Sequence, residues 1–125
     1  MITRKQRILL VDDDVRLTQI LKTGLKACGY EVRSENDSLR ALQVVRAFKP
    51  DLIVLDVAMP GKDGGEVAQE LRDQKDVGET PVIFLTSLLS KTDAARSKEQ
   101  GETILAKPVS IVELTKCIEE CLGKK

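Results

Sequence analysis

Short apolar runs alternate along the chain with segments whose apolar residues recur every three or four positions. Ile8–Val11 is the first run and reads as a buried strand ending at Asp12-Asp13-Asp14, residues suited to starting a helix. Leu17, Ile20, Leu21, Leu25 and Cys28 follow with helical spacing, and Gly29 stands where a C-terminal cap belongs. Gly24 falls inside this helix at a cost of roughly 1 kcal/mol relative to Ala, for which a close packing contact would be one reason. Tyr30–Ser34 alternates apolar and polar residues, the pattern of a half-exposed edge strand. Asn36, Asp37 and Ser38 offer caps for a second helix with Leu42, Val45 and Phe48 on its inner stripe and Pro50 at its end. Leu52–Leu55 is a run suited to burial on both faces. A third helix is expected over about Asp63–Lys75 with Val67 and Leu71 inward, then a loop over Asp76–Thr80 and a strand over Val82–Leu85. A fourth helix, about Lys91–Gln100, carries only Ala94 and Ala95 as apolar residues; it buries little and is expected to be the least firmly held. Gly101 closes it. Thr103–Ala106 is the last strand, and Ser110 caps a fifth helix with Ile111, Leu114, Ile118 and Leu122 inward, finished by Gly123 and two lysines. Five strands alternating with five helices predict an α/β fold, (βα)5, with a doubly wound parallel sheet and helices on both faces.

The chain of 125 residues fits a single domain over 1–125, with a core over about 7–122. Aromatic residues are 2% of the chain, so the core must be aliphatic and little remains for stacking on nucleic-acid bases. Twenty basic and twenty acidic residues cancel, which leaves no global field to recruit nucleic acid or an acidic membrane. No apolar run reaches the length of a membrane span, and the basic start, Met1–Arg7, leads into too short a run for a secretory signal. Cys28, Cys117 and Cys121 lack metal-like spacing and read as reduced thiols of a cytoplasmic protein, with Cys117 and Cys121 as apolar filler on one helical face. The chain has no His, which excludes His-based catalysis and His metal sites.

In a parallel sheet all carboxyl ends lie along one edge. Asp12 and Asp13, Asp56, Thr86 and Lys107 sit at four such ends and should converge. Singly each has an ordinary structural use as a cap, a β-branched strand residue or a solvated charge. Together they form a carboxylate cluster that one Lys cannot neutralise; unit charges about 4 Å apart repel by roughly 4 kcal/mol at an effective dielectric near 20. A hard divalent cation resolves this, and Mg2+ suits a few carboxylates with open positions for phosphate oxygens. A carboxylate can then attack phosphorus, with Lys107 and the Thr86 hydroxyl on other oxygens.

Leu10-Val-Asp-Asp-Asp14, Asp51-Leu-Ile-Val-Leu-Asp56 with Met59-Pro-Gly61, Phe84-Leu-Thr-Ser87 and Ala106-Lys-Pro108 resemble the CheY-like receiver domain of two-component response regulators, over Ile8 to about Leu122. The resemblance implies a flavodoxin-like sheet with strand order 2-1-3-4-5. It implies that Asp56 accepts phosphate from a sensor histidine kinase or histidine phosphotransfer protein. Asp12, Asp13, Asp56 and the Ala58 carbonyl would hold Mg2+ (or Mn2+), Thr86 and Lys107 would contact the phosphoryl group, Asp14 would start a helix, and Lys107–Pro108 would be cis. On this reading the protein catalyses only its own phosphorylation and dephosphorylation. With no output domain in the sequence, its message is expected to pass by contact with a downstream protein or a second copy through the face of the fourth helix, last strand and fifth helix.

Departures from the family pattern bear on switching. Ile104 stands where many receivers carry a Tyr or Phe that rotates on activation, and Val109 where Phe is frequent. Apolar Ala58 and Leu88 flank the site, and Leu88 is expected to shield the phosphorylated Asp from water, a property that Leu88→Glu would expose. Leu88, Leu89 and Ile104 are expected to form an apolar docking patch, with Lys91 and Lys98 beside it. A haloacid-dehalogenase-type phosphohydrolase would need an acid two residues past the nucleophile, where Ala58 stands. A flavodoxin would need a phosphate-welcoming first loop in place of three Asp. The remaining competitor is a receiver-fold interaction module that works without phosphorylation.

Overall fold

The computed structural model describes residues 5–87 and 103–123. Its five strands form one parallel sheet in the order β2-β1-β3-β4-β5: β1 Arg7–Val11, β2 Glu31–Glu35, β3 Leu52–Asp56, β4 Val82–Thr86 and β5 Ile104–Ala106. The strand order and the doubly wound class are those expected from the sequence.

The unbroken apolar runs follow from burial on both sides. Ile8, Leu10, Leu52, Val54, Ile83 and Leu85 face one core, shared with α1 (Val15–Ala27) and the C-terminal helix (Ile111–Cys121). Leu9, Val11, Ile53, Leu55 and Val82 face the other, shared with α2 (Ala41–Phe48) and α3 (Gly64–Arg72). β2 is an edge strand whose alternation leaves Glu31 and Arg33 exposed and Val32 buried. Cys117 is buried and Cys121 packs against the same core, as apolar filler would.

The helices begin where side chains satisfy their first N–H groups. The Asp14 carboxylate accepts from the Leu17 N–H at 3.1 Å to start α1. Asp37 caps a short 3-10 turn, Ser38–Arg40, that leads into α2, and Lys49 in the left-handed region (φ 52°) with buried Pro50 ends it. Reciprocal capping boxes start α3 (Asp63 with Glu66) and the C-terminal helix (Ser110 with Glu113). Gly24 has the reason its position demanded: a Cβ there would lie 2.4 Å from Ile111 Cδ1, where α1 meets the C-terminal helix.

Three expectations need correction. Ile20 is 62% exposed and Cys28 is exposed, because the buried line of α1 runs through Thr18, Leu21 and Leu25. α3 stops at Arg72, short of Lys75. There the chain folds back: Arg72 Nη1 donates to the carbonyls of Gly78 and Thr80 at 3.0 and 3.2 Å. The expected strand starts at Tyr30 and Thr103 move to Glu31 and Ile104. The expected fourth helix, Leu88, Leu89, Lys91, Lys98, Gly101 and the two closing lysines lie outside the described residues.

Candidate functional site

The carboxyl ends of the strands converge as parallel pairing requires. Asp12 directly follows β1, Asp56 ends β3, Thr86 ends β4 and Lys107 directly follows β5. Asp12, Asp56 and Thr86 are only 3–4% exposed, Lys107 is half-buried, and Asp13 faces solvent. One carboxylate oxygen from each of Asp12, Asp13 and Asp56 lies within 4.8 Å of the others.

Lys107 ties two of these carboxylates together. Its Nζ donates to Asp12 Oδ2 at 2.9 Å and lies 3.3 Å from Asp56 Oδ1. Its backbone N–H donates to the Thr86 carbonyl at 2.8 Å, which carries the β4–β5 ladder one step past the strand. The peptide bond to Pro108 is cis, as the resemblance implied. Asp12 Oδ1 accepts from the Asp14 N–H at 2.9 Å, so one Asp of the triplet supports another while Asp14 starts α1. The Ala58 N–H donates to the Asp56 carboxylate.

Burial pushes the Asp56 carboxyl above its usual range, and the charge of Asp12 adds to this. Lys107 and the Ala58 N–H oppose the shift without cancelling it. For Lys107, burial favours the neutral amine, but its hydrogen bond to Asp12 and the charges of Asp12 and Asp56 outweigh burial, so the ammonium holds its proton above the ordinary lysine range. Three carboxylates against one ammonium leave the site with more negative charge than its own cation can neutralise. Two carboxylates 4.8 Å apart repel by about 3.5 kcal/mol at an effective dielectric near 20. Three oxygen donors with surplus charge fit a hard divalent cation. They offer no soft ligand that would favour zinc or copper.

The loop after β3 is drawn tightly against the site. A Cβ at Gly64 would lie 2.5 Å from the Asp56 carbonyl oxygen and 2.9 Å from Val57 Cα, so α3 can begin this close only with glycine. The Gly64 N–H donates to the Val57 carbonyl at 2.8 Å. Ile104 is half-buried on β5 and lines a shallow cavity of about 290 Å3 with Leu105, Cys117, Glu113 and Lys116.

Asn36 and Ser38, expected only to offer caps, also bear on the site. Their side chains reach across to Asp12 and to the β3–α3 loop, respectively. The signal lay in the register: Val11 pairs with Glu35, which puts Asn36 beside Asp12.

A doubly wound sheet with buried acids and a lysine at its carboxyl edge defines a class of α/β proteins that bind ligands at that edge. Residues 8–119 match the Response regulator receiver domain, and the chain belongs to this family, the receivers of two-component signalling. It is 39% identical over 122 residues to the "Probable transcriptional regulator ycf27" of Porphyridium aerugineum, covering 97% of this chain and 50% of the relative. The chain thus spans about half the length of the ycf27 relatives it matches. It is 31% identical over 117 residues to the "Polar-differentiation response regulator DivK" of Brucella anthropi, covering 93% of this chain and 95% of that one. Among solved structures it is similar to a putative response regulator from Chloroflexus aurantiacus (TM-score 0.84, 30% identity, 97% and 100% of the two chains). It is also similar to the Vibrio cholerae chemotaxis protein CheY4 (TM-score 0.82, 30% identity, 94% and 99%). Receiver domains are signalling domains rather than turnover enzymes, and the family works with histidine kinases or phosphotransfer proteins. Among the described residues no helix is long and apolar enough to cross a membrane.

Proposed function

We propose that this domain is a cytoplasmic switch that accepts a phosphoryl group on Asp56 from a sensor histidine kinase or histidine phosphotransfer protein. Asp12, Asp13, Asp56 and the Ala58 carbonyl would hold Mg2+ (or Mn2+). The chemistry such a metal would supply is cancellation of carboxylate charge and attraction for a phosphoryl oxygen. The observation that carries the reading is Lys107 Nζ between Asp12 and Asp56, at 2.9 and 3.3 Å, in a pocket that still holds surplus negative charge.

In the transfer, an Asp56 carboxylate oxygen forms a bond to phosphorus while the nitrogen–phosphorus bond of the donor phosphohistidine breaks, and the electron pair of that bond returns to the imidazole. Lys107 pairs with phosphoryl oxygens as the charge on Asp56 is spent, a role supported by its Nζ lying 3.3 Å from Asp56 Oδ1. Thr86, buried at the end of the adjoining strand, offers its hydroxyl to another oxygen. The output passes to a downstream protein or a second copy through the face that includes β5 and the C-terminal helix.

The test is incubation with acetyl phosphate and Mg2+ followed by intact-mass measurement. Wild type gains the mass of one phosphoryl group, while Asp56→Asn and a chelator-treated sample do not. A gain that persists in Asp56→Asn refutes the assignment. The competing reading, an interaction module that works without phosphorylation, draws on Ile104 at the position where an aromatic switch is usual. It predicts no mass gain in wild type.

A further inference from the structure

The β2–α2 connection sends side chains to both walls of the acidic pocket. Asp37 takes the capping role, its Oδ1 accepting from the Leu39 N–H at 3.0 Å. This leaves its two neighbours to reach outward. Asn36 Nδ2 donates to the carbonyl oxygen of Asp12 at 2.7 Å and to Thr18 Oγ1 at 3.0 Å. Thr18 is buried and spends its own proton on the Val15 carbonyl at 3.0 Å, so Asn36 must be the donor of this bond. The Asp12 N–H in turn donates to the Glu35 carbonyl at 3.2 Å, so both backbone polar groups of Asp12 are held from β2 and its connection.

Two residues on, Ser38 is 4% exposed, and its hydroxyl donates to the Pro60 carbonyl at 2.7 Å and accepts from the Lys62 N–H at 3.0 Å. These bonds pin the loop that carries Ala58. Gly61 allows the approach: it has φ +88°, and a Cβ there would lie 3.1 Å from Ser38 Oγ and 3.3 Å from Leu39 Cγ.

We infer that Asn36 and Ser38 are positioning residues for the metal pocket. One fixes the backbone of Asp12, the other the loop after Asp56, and together they act as a strut that sets the separation of the two walls. Their hydrogen bonds go to backbone groups and to Thr18, not to the carboxylate oxygens. They act on ligand geometry as outer-shell partners do, and such partners typically change metal affinity about 10–100-fold. The inference rests on the metal reading of Asp12, Asp13 and Asp56.

Asn36→Leu and Ser38→Ala remove the bonds at similar size, and Ser38→Thr keeps the hydroxyl. Ile118→Val, which trims the core beneath the C-terminal helix, controls for general loosening. Mg2+ affinity is read by calorimetry, and exchange of the Lys62 amide is read by NMR in metal-free protein. Asn36→Leu and Ser38→Ala are expected to weaken Mg2+ binding about tenfold or more, with Ser38→Thr and Ile118→Val within about twofold of wild type. Lys62 exchange should accelerate in Ser38→Ala alone. Binding in both variants equal to that of Ile118→Val, or unchanged Lys62 exchange, overturns the strut. Absence of Mg2+ binding in wild type overturns the metal reading, and the metal-free exchange then judges the Ser38 anchor by itself.

Discussion

Replacing Lys107 with Met removes the ammonium shared by Asp12 and Asp56 while keeping a side chain of similar length. Breaking a buried ion pair costs about 3–5 kcal/mol. Lys107 keeps 20% of its side chain exposed against 4% and 6% for its partners, so solvent screens part of this, and about 2–4 kcal/mol is expected at pH 7.5. The loss has a ceiling, because a stranded carboxylate can escape by taking a proton. From the ordinary value of 3.8, protonation at pH 7.5 costs about 5 kcal/mol, at 1.36 kcal/mol per pH unit. At pH 5 the same escape costs only about 1.6 kcal/mol per carboxylate. The direction follows from the shifts in the intact site. Because the folded-state value of Lys107 is raised, its contribution is complete below 10.5 and fades only as pH rises through that folded value. Because the folded-state value of Asp56 is raised, ionising it already weakens the fold as pH climbs from 3.8 through that value, and losing Lys107 extends this window upward. The gap between wild type and Lys107→Met should therefore widen with pH. Urea denaturation followed by far-UV circular dichroism at pH 5, 6 and 7.5 measures it, the chain having no Trp for fluorescence. A gap that stays constant across this range would refute the electrostatic account.

Asp56→Asn removes a charge that burial and Asp12 make costly, so the metal-free variant should melt above wild type at neutral pH and lose the advantage towards pH 4; a lower melting temperature contradicts the raised carboxyl. Excess Mg2+ should raise the melting temperature of wild type and leave Asp56→Asn nearly unmoved, as a thermal-shift series would show. Gly64→Ala places a methyl group 2.5 Å from a backbone oxygen that cannot swing aside, and should lower stability in urea titration by about 1–3 kcal/mol. Gly24→Ala offers about 1 kcal/mol of helix propensity, but its methyl meets Ile111; it should destabilise wild type and stabilise Ile111→Ala, a reversal that a double-mutant cycle reads directly.

The central strands were legible because burial on both faces leaves Ile8–Val11 and Leu52–Leu55 no polar positions, a pattern that survives without knowledge of neighbours. The site was legible for a related reason: parallel pairing places every carboxyl end on one edge, so Asp12, Asp56, Thr86 and Lys107 could be collected before their distances were known. Ile20 was misplaced because its spacing fits a helical face as well as that of Leu21 does, and only packing against β1 and the C-terminal helix chooses between them. The early end of α3 depends on Arg72 bonding carbonyls six and eight residues ahead, a return of the chain that local propensity does not encode. Asn36 and Ser38 were harder still. Their partners Asp12 and Pro60 stand 24 and 22 positions away, and an Asn or Ser before a helix looks like a cap whatever else it does.

The acid and the base of the pocket hang from very different supports. Asp56 ends a strand with all five residues buried, flanked by partners on both sides, whereas Lys107 follows a strand of three half-buried residues at the margin of the sheet. A force applied between them is therefore absorbed unevenly. Were the pull of Lys107 on Asp56 exchanged for a pull on a new anion, as the proposed function requires, the outer ribbon would be expected to yield before the strand that ends at Asp56. On the proposed reading, a disturbance that begins at one oxygen atom would in this way reach the flank of the molecule, where another protein could feel it.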